Sequence, residues 1–188
     1  FRTGRMNLMK NIGDNQFIDI TEESGLPTSN STALGLTWAD FDNDGDLDLH
    51  VSNFGEADVE NDFSGAPNEL FRNEGECIFT EIAKEVGVDN SGHSSKGLWA
   101  DYDHDGDLDL YSMNFGILSE EQLLVRQESN ILYQNQLKET GMANFEPITI
   151  LAGKIDGGTL EPRFDGEVVL GEASSIGITA PENPSAQM

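Results

Sequence analysis

Five aspartates in nine residues, Asp40-Phe41-Asp42-Asn43-Asp44-Gly45-Asp46-Leu47-Asp48, recur 61 positions later as Asp101-Tyr102-Asp103-His104-Asp105-Gly106-Asp107-Leu108-Asp109. Held in a compact loop these carboxylates repel, each pair at ~5 Å costing on the order of 3 kcal/mol at an effective dielectric of about 20. The loop needs a cation to close. The glycine at position six permits a sharp turn, positions one, three and five point inward, the position-seven carbonyl follows, and position nine supplies a last carboxylate. Such an oxygen cage suits calcium, whereas magnesium keeps water in a strict octahedron and zinc favours His or Cys. Two loops therefore predict about two calcium ions, one per loop. The plainer reading, a solvated acidic turn, is disfavoured because the spacing occurs twice, each time between strands. His104 at position four is expected to point outward, where the first loop carries Asn43. An EF-hand would need a bidentate Glu at position twelve between helices; Val51 and Ser112 stand there, inside alternating runs.

The loops sit in a longer repeat. Residues 38–55 and 99–116 are identical at 13 of 18 aligned positions. The likeness extends outward, since Asn68-Glu69-Leu70-Phe71-Arg72-Asn73 matches Asn130-Ile131-Leu132-Tyr133-Gln134-Asn135 and Phe17 to Leu26 matches Phe79 to Val88, both at an offset of 62. Leu8-Met9-Lys10-Asn11 opens the chain with a partial third copy. Apolar residues alternate, as in Leu34, Leu36, Trp38 and in Leu47, Leu49, Val51, which is the period of a half-buried strand. The pattern predicts short strands near residues 7–10, 17–20, 34–40, 47–52, 69–73, 78–82, 96–101, 108–113, 131–134 and 145–150, with Gly, Asn and Asp turns between them. Four strands per unit resemble a propeller blade, although about 61 residues is longer than the common repeats of about 40–50. The additional length lies at Glu56 to Pro67 and Ile117 to Ser129. In the second insertion Ser119 followed by Gln122 is a capping-box pattern, which predicts a short helix over residues 119–128. Such a helix either contacts a partner or, more plainly, covers a blade edge.

The unit Trp38-Ala39-Asp40 to Leu49, with Asn68 to Gly75 and the Phe-x-x-Ile endings at Ile20 and Ile82, resembles the FG-GAP/VCBS repeats, similar to integrin α-subunit propellers and closest in texture to cartilage acidic proteins. The resemblance covers roughly residues 5–150. It implies an all-β fold of β-propeller-like blades, incomplete at about two and a half blades, with calcium loops and a secreted or cell-surface setting. It also implies that Asp40, Asp42, Asp44 and Asp48 bind through side chains and Asp46 through its carbonyl, with Asp101, Asp103, Asp105, Asp109 and Asp107 in the same roles. A literal Gly65-Ala66-Pro67 lies too far beyond the loop to match the family position and reads as coincidence. The expected organisation is a repeat region over 1–147, made of a partial blade 1–33 and loop-bearing units at about 34–95 and 96–147. Residues 148–188 follow as a strand-rich extension or closing unit without an aspartate loop.

Composition narrows the function classes. Thirty-five Asp plus Glu against 10 Lys plus Arg give a net charge of −25, which disfavours nucleic acid and anionic membrane surfaces and attracts cations. No apolar run approaches the roughly 18 residues of a membrane span. Cys77 is the single cysteine, so the chain has no internal disulfide, and it reads as a small buried hydrophobe. The chain starts at Phe1 without a leader pattern, so it is expected either to have lost one or to be a segment of something longer. Gly92-His93-Ser94-Ser95-Lys96-Gly97 gathers nucleophile and base types without nucleophile-elbow spacing. It reads as a polar loop, and the chain is expected not to be an enzyme. Asn30-Ser31-Thr32 fits a glycosylation acceptor.

Three functions remain open. The first is a calcium-bearing extracellular module for adhesion to other proteins or to glycans. The second is a self-assembling subunit of a fibre or sheet, a homo-polymer whose blades are completed between chains through strand edges and the C-terminal tail. The third is a catalytic or non-catalytic part of a polysaccharide-active propeller enzyme, for which no residue speaks. Two and a half units of about 61 residues do not close a propeller, so the length predicts a piece of a larger protein or a member of an assembly.

Overall fold

In the structure, a computed structural model, the described residues are 4–27, 30–57, 63–115, 117–119, 124–126 and 129–148. They are all-β, built from small antiparallel sheets. β1 (Gly4–Arg5) pairs with β4 (Asn30–Ser31), while β2 (Met9–Gly13) and β3 (Gln16–Asp19) form a hairpin exposed along its whole length.

The first blade meanders through β5 (Ala33–Ala39), β6 (Asp48–Asn53), β9 (Glu69–Asn73) and β10 (Phe79–Glu81), all antiparallel. Between β6 and β9 the insertion forms a small hairpin, β7 (Glu56–Ala57) with β8 (Phe63–Ser64). One helical turn, α1 (Ala83–Val86), follows β10 and buries Ala83 and Val86; it ends at Gly87, whose φ of 84° gives the left-handed cap that glycine adopts at least cost. The second blade repeats the order as β11 (Ser94–Ala100), β12 (Asp109–Asn114), β15 (Ile131–Asn135) and β16 (Phe145–Ile148), with α2 (Leu137–Thr140) between the last two strands.

The ten expected strands are all present, with starts displaced by at most two residues. Where a helix was expected, the described residues instead form β13 (Ile117–Ser119) paired with β14 (Leu124–Arg126). A ten-residue helix is marginal by itself, and antiparallel pairing of two short segments containing Ile117 and Val125 outweighs the local capping signal. Residues 120–123 and 127–128 of that expectation lie outside the described residues, as do the residues 149–188 of the expected C-terminal extension.

Two cores flank the first blade. Leu26, Leu49, Val51, Phe71 and Phe79 pack on one side, with Met6, Leu8 and a partly buried Cys77 against them. On the other side Phe41, Leu70, Ile82, Val86, Val88, Leu110, Tyr133 and Phe145 join the two blades. Phe41 is the second residue of the first Asp loop. Its ring lies 6.1 Å from Trp99 and 5.8 Å from Phe145, and burying it contributes about 2–3 kcal/mol. That anchors the loop to the next blade.

β5 keeps the expected period but turns the other way. Leu34, Leu36 and Trp38 are 44, 53 and 45% exposed, while the small residues of the strand face the second blade. The reason is proximity: a Cβ on Gly35 would lie 2.5 Å from the Ser95 carbonyl oxygen, so this face of β5 admits no large side chain. Gly65 has a comparable duty, because a Cβ there would fall 2.0 Å from the carbonyl oxygen of Ser91. Its place in the sequence is coincidental to the family motif but not to packing.

Candidate metal centres

Each Asp loop links the first strand of a blade to the second, leaving β5 at Asp40 and entering β6 at Asp48, or leaving β11 at Asp101 and entering β12 at Asp109. The backbone turns at two points. Gly45 and Gly106 both have φ of 97°, and position four is left-handed as well, with φ of 58° at Asn43 and 64° at His104. Asn and His are among the few non-glycine residues enriched in that region. His104 is exposed, as expected.

Amide donors hold the carboxylates in place. Asp40 accepts from the backbone N–H of Asp44 at 3.0 Å and of Gly45 at 3.1 Å, and Asp101 accepts from Gly106 at 3.2 Å. Asp48 accepts from Phe41 within its loop at 3.1 Å and from Asn73 on β9 at 2.9 Å; Asp109 accepts from Tyr102 and from Asn135 on β15, both at 2.9 Å. The position-nine residue thus ties the loop to the third strand of its blade. A carboxylate has about four acceptor sites, so two remain for a cation.

One oxygen each of Asp40, Asp42 and Asp48 lies within 4.8 Å of the others, and Asp101, Asp103 and Asp109 form the matching group. The structure therefore brings together positions one, three and nine. Asp44 and Asp46 stand outside that group, both exposed, with the Asp44 carboxylate accepting from the Asp46 N–H at 2.9 Å. In the second loop Asp105 and Asp107 instead meet Glu139 of α2 within 4.8 Å. Glu139 is absent from the sequence-based set. Its signal was the broken offset: Asn73 to Phe79 spans six residues and Asn135 to Phe145 spans ten.

Burial governs the electrostatics. It pushes the Asp48 carboxyl up to about 7 against the lowering pull of its two amide donors, and raises Asp109 for the same reason. Asp42 is raised by burial first and by the Asp44 and Asp40 charges next. Asp42 Oδ1, Asp101 Oδ1, Asp105 Oδ2 and Asp107 Oδ1 are buried atoms with no hydrogen-bond partner. Unpaired acceptors this crowded favour a bound cation or a bound proton, and the all-oxygen donor set fits a hard divalent ion. The surroundings differ: Arg72, paired with Glu74 at 2.8 Å, lends positive charge to Asp42, whereas its counterpart Gln134 donates to Asp103 at 2.7 Å.

Residues 2–51, from the N-terminal hairpin through the first Asp loop into β6, match the family model of the FG-GAP-like repeat. That stretch is similar to an FG-GAP-type repeat. The matched FG-GAP stretch joins the outer strands of one blade to the inner strands and loop of the next, so it straddles the boundary between blades. Among the curated proteins none matches the chain significantly. FG-GAP repeats are typically extracellular, and among the described residues no helix is long and apolar enough to cross a membrane.

The residues around His93 are committed to structure. The Ser94 hydroxyl donates to Asn114 Oδ1 at 2.7 Å and accepts from Asn68 Nδ2 at 2.9 Å, while the His93 ring packs edge-on against Phe54 at 5.1 Å.

Proposed function

We propose that the chain is a calcium-stabilised extracellular repeat module, in which calcium acts structurally and the blades present a surface to other proteins or to glycans. The observation that supports it is the convergence of three carboxylates within 4.8 Å at the same point of two successive blades, with buried acceptor oxygens unpaired in both. Asp40, Asp42 and Asp48 hold one ion and Asp101, Asp103 and Asp109 the other, with Asp44 and Asp105 side chains and the Asp46 and Asp107 carbonyls available to complete each shell. Calcium supplies the charge that lets the loops stay closed; the chain's own residues set the turn and fix position nine to the sheet. The deciding measurement is thermal unfolding in calcium and in EGTA. Calcium raises the melting temperature and EGTA lowers it; equal melting temperatures would sink the reading.

A second reading, self-assembly with blades completed between chains, is favoured by the β2–β3 hairpin. The equivalent strands β9 and β15 pair on both sides, whereas among the described residues β2 pairs with β3 alone. Light scattering over a range of concentrations, with and without calcium, decides it: a monomer throughout removes the assembly.

A further inference from the structure

A line of hydrogen bonds runs from the first candidate cage to the second. The Phe41 N–H donates to Asp48 Oδ2 at 3.1 Å, the Phe41 carbonyl accepts from the Asn135 side-chain amide at 2.8 Å, and the Asn135 N–H donates to Asp109 Oδ1 at 2.9 Å. All four residues are buried. Asp48 and Asp109 stand at the two ends of the line, and each converges within 4.8 Å on two further acids of its own loop.

The residue in the middle of this line has two positions to choose between. With the first loop closed, Phe41 keeps its ring against Trp99 and Phe145 and its peptide groups on Asp48 and Asn135. Crowding of Asp40, Asp42 and Asp48 drives the empty loop open, which draws Phe41 away from Asn135 and loosens the residue whose N–H holds Asp109. An ion in either cage therefore stabilises one and the same docked arrangement, and its ordering cost falls on the first ion alone. Repulsion between two divalent ions acts the opposite way, so the sign of the coupling identifies its source.

We propose that the two Asp loops bind calcium with positive cooperativity, and that Asn135 is the positioning residue that carries the coupling between them. The proposal rests on the reading of the Asp loops as calcium cages and goes beyond it, because two independent structural ions need no link. It makes the junction of the blades a calcium-dependent element: filling one loop prepares the other.

The test is a calcium chloride titration of the metal-stripped full chain by calorimetry. Asp42→Asn disables the first cage and Asp103→Asn the second, and neither residue belongs to the line of hydrogen bonds. The cage that survives in each variant binds at least about 5-fold more weakly than in the parent, by the same factor in both because coupling is reciprocal. Asn135→Ala cuts the line at the Phe41 carbonyl and keeps the backbone N–H for Asp109. In that background, checked for folding by circular dichroism, disabling one cage leaves the affinity of the other unchanged. Hydrogen exchange gives a second readout: in Asp42→Asn, filling the second cage slows exchange over residues 41–48, a loop that then holds no ion. A surviving cage of equal or higher affinity overturns the coupling and leaves the cages standing. Coupling that persists in Asn135→Ala overturns the role of Asn135. A parent chain that binds no calcium overturns the cages and the coupling together.

Discussion

The side-chain amide of Asn135 donates to the Phe41 carbonyl at 2.8 Å and to the Leu108 carbonyl at 3.1 Å. One buried residue on the third strand of the second blade therefore closes on the first Asp loop, 94 residues earlier, and on its own loop as well. Its backbone N–H meanwhile binds Asp109. The two candidate cages are joined by this side chain and by the Phe41 ring.

Replacing Asn135 with Ala takes the side-chain donor from the buried Phe41 carbonyl and the half-buried Leu108 carbonyl, and we expect a loss of about 1–3 kcal/mol. Asn73→Ala costs less, because its side-chain amide reaches Leu47 at a longer 3.3 Å. Urea unfolding midpoints of the two variants, measured with calcium present, check the order; equal losses would contradict it.

Asp48 and Asp42 separate two roles that a metal titration alone would merge. Asp48→Ala removes the acceptor for Phe41 and Asn73, so it destabilises by about 2–4 kcal/mol even in EGTA. Asp42→Ala removes a crowded carboxylate with an unpaired oxygen, so in EGTA it is neutral or stabilising while the gain on adding calcium shrinks. Thermal unfolding of both variants with and without calcium reads the difference directly.

His50 is fully buried on β6, edge-on to Trp99 with centroids 6.2 Å apart, and burial holds its imidazole down at about 4. A Cβ on Gly97 would lie 2.6 Å from its Nδ1. Gly97→Ala is expected to cost about 1–3 kcal/mol through overpacking. Against a His50→Ala background the same change costs less, since the collision is gone. A double-mutant cycle showing full additivity would refute the contact.

Burial pushes the Tyr133 phenol up to about 12 from its ordinary 10. The folded chain then binds more protons than the unfolded one between those values, so Tyr133 stabilises fully below about pH 10 and that contribution fades as pH rises toward 12. Tyr133→Phe flattens this alkaline loss by on the order of 2 kcal/mol. The comparison is the slope of unfolding free energy against pH for the two chains.

Much of the candidate site's geometry was legible because it is local. The spacing of Asp40 to Asp48 and Asp101 to Asp109 reports the turn, and the structure converges positions one, three and nine of each. Glu139 was not legible from the loop motif, since it comes from a turn 30 residues beyond Asp109 whose length alone hinted at a difference. The capping pattern at Ser119 misled for the converse reason: a local preference lost to strand pairing.

By itself the sequence determined the strands, the blade period and the acid loops, because alternation, glycine turns and like-charge crowding act within a few residues. Which face of β5 is covered, which loop lies under α2 and which carbonyls Asn135 reaches were decided by the tertiary structure. Those outcomes depend on two blades packing within van der Waals distance at Gly35 and Gly97, and period-two alternation is the same whichever face a neighbouring sheet covers.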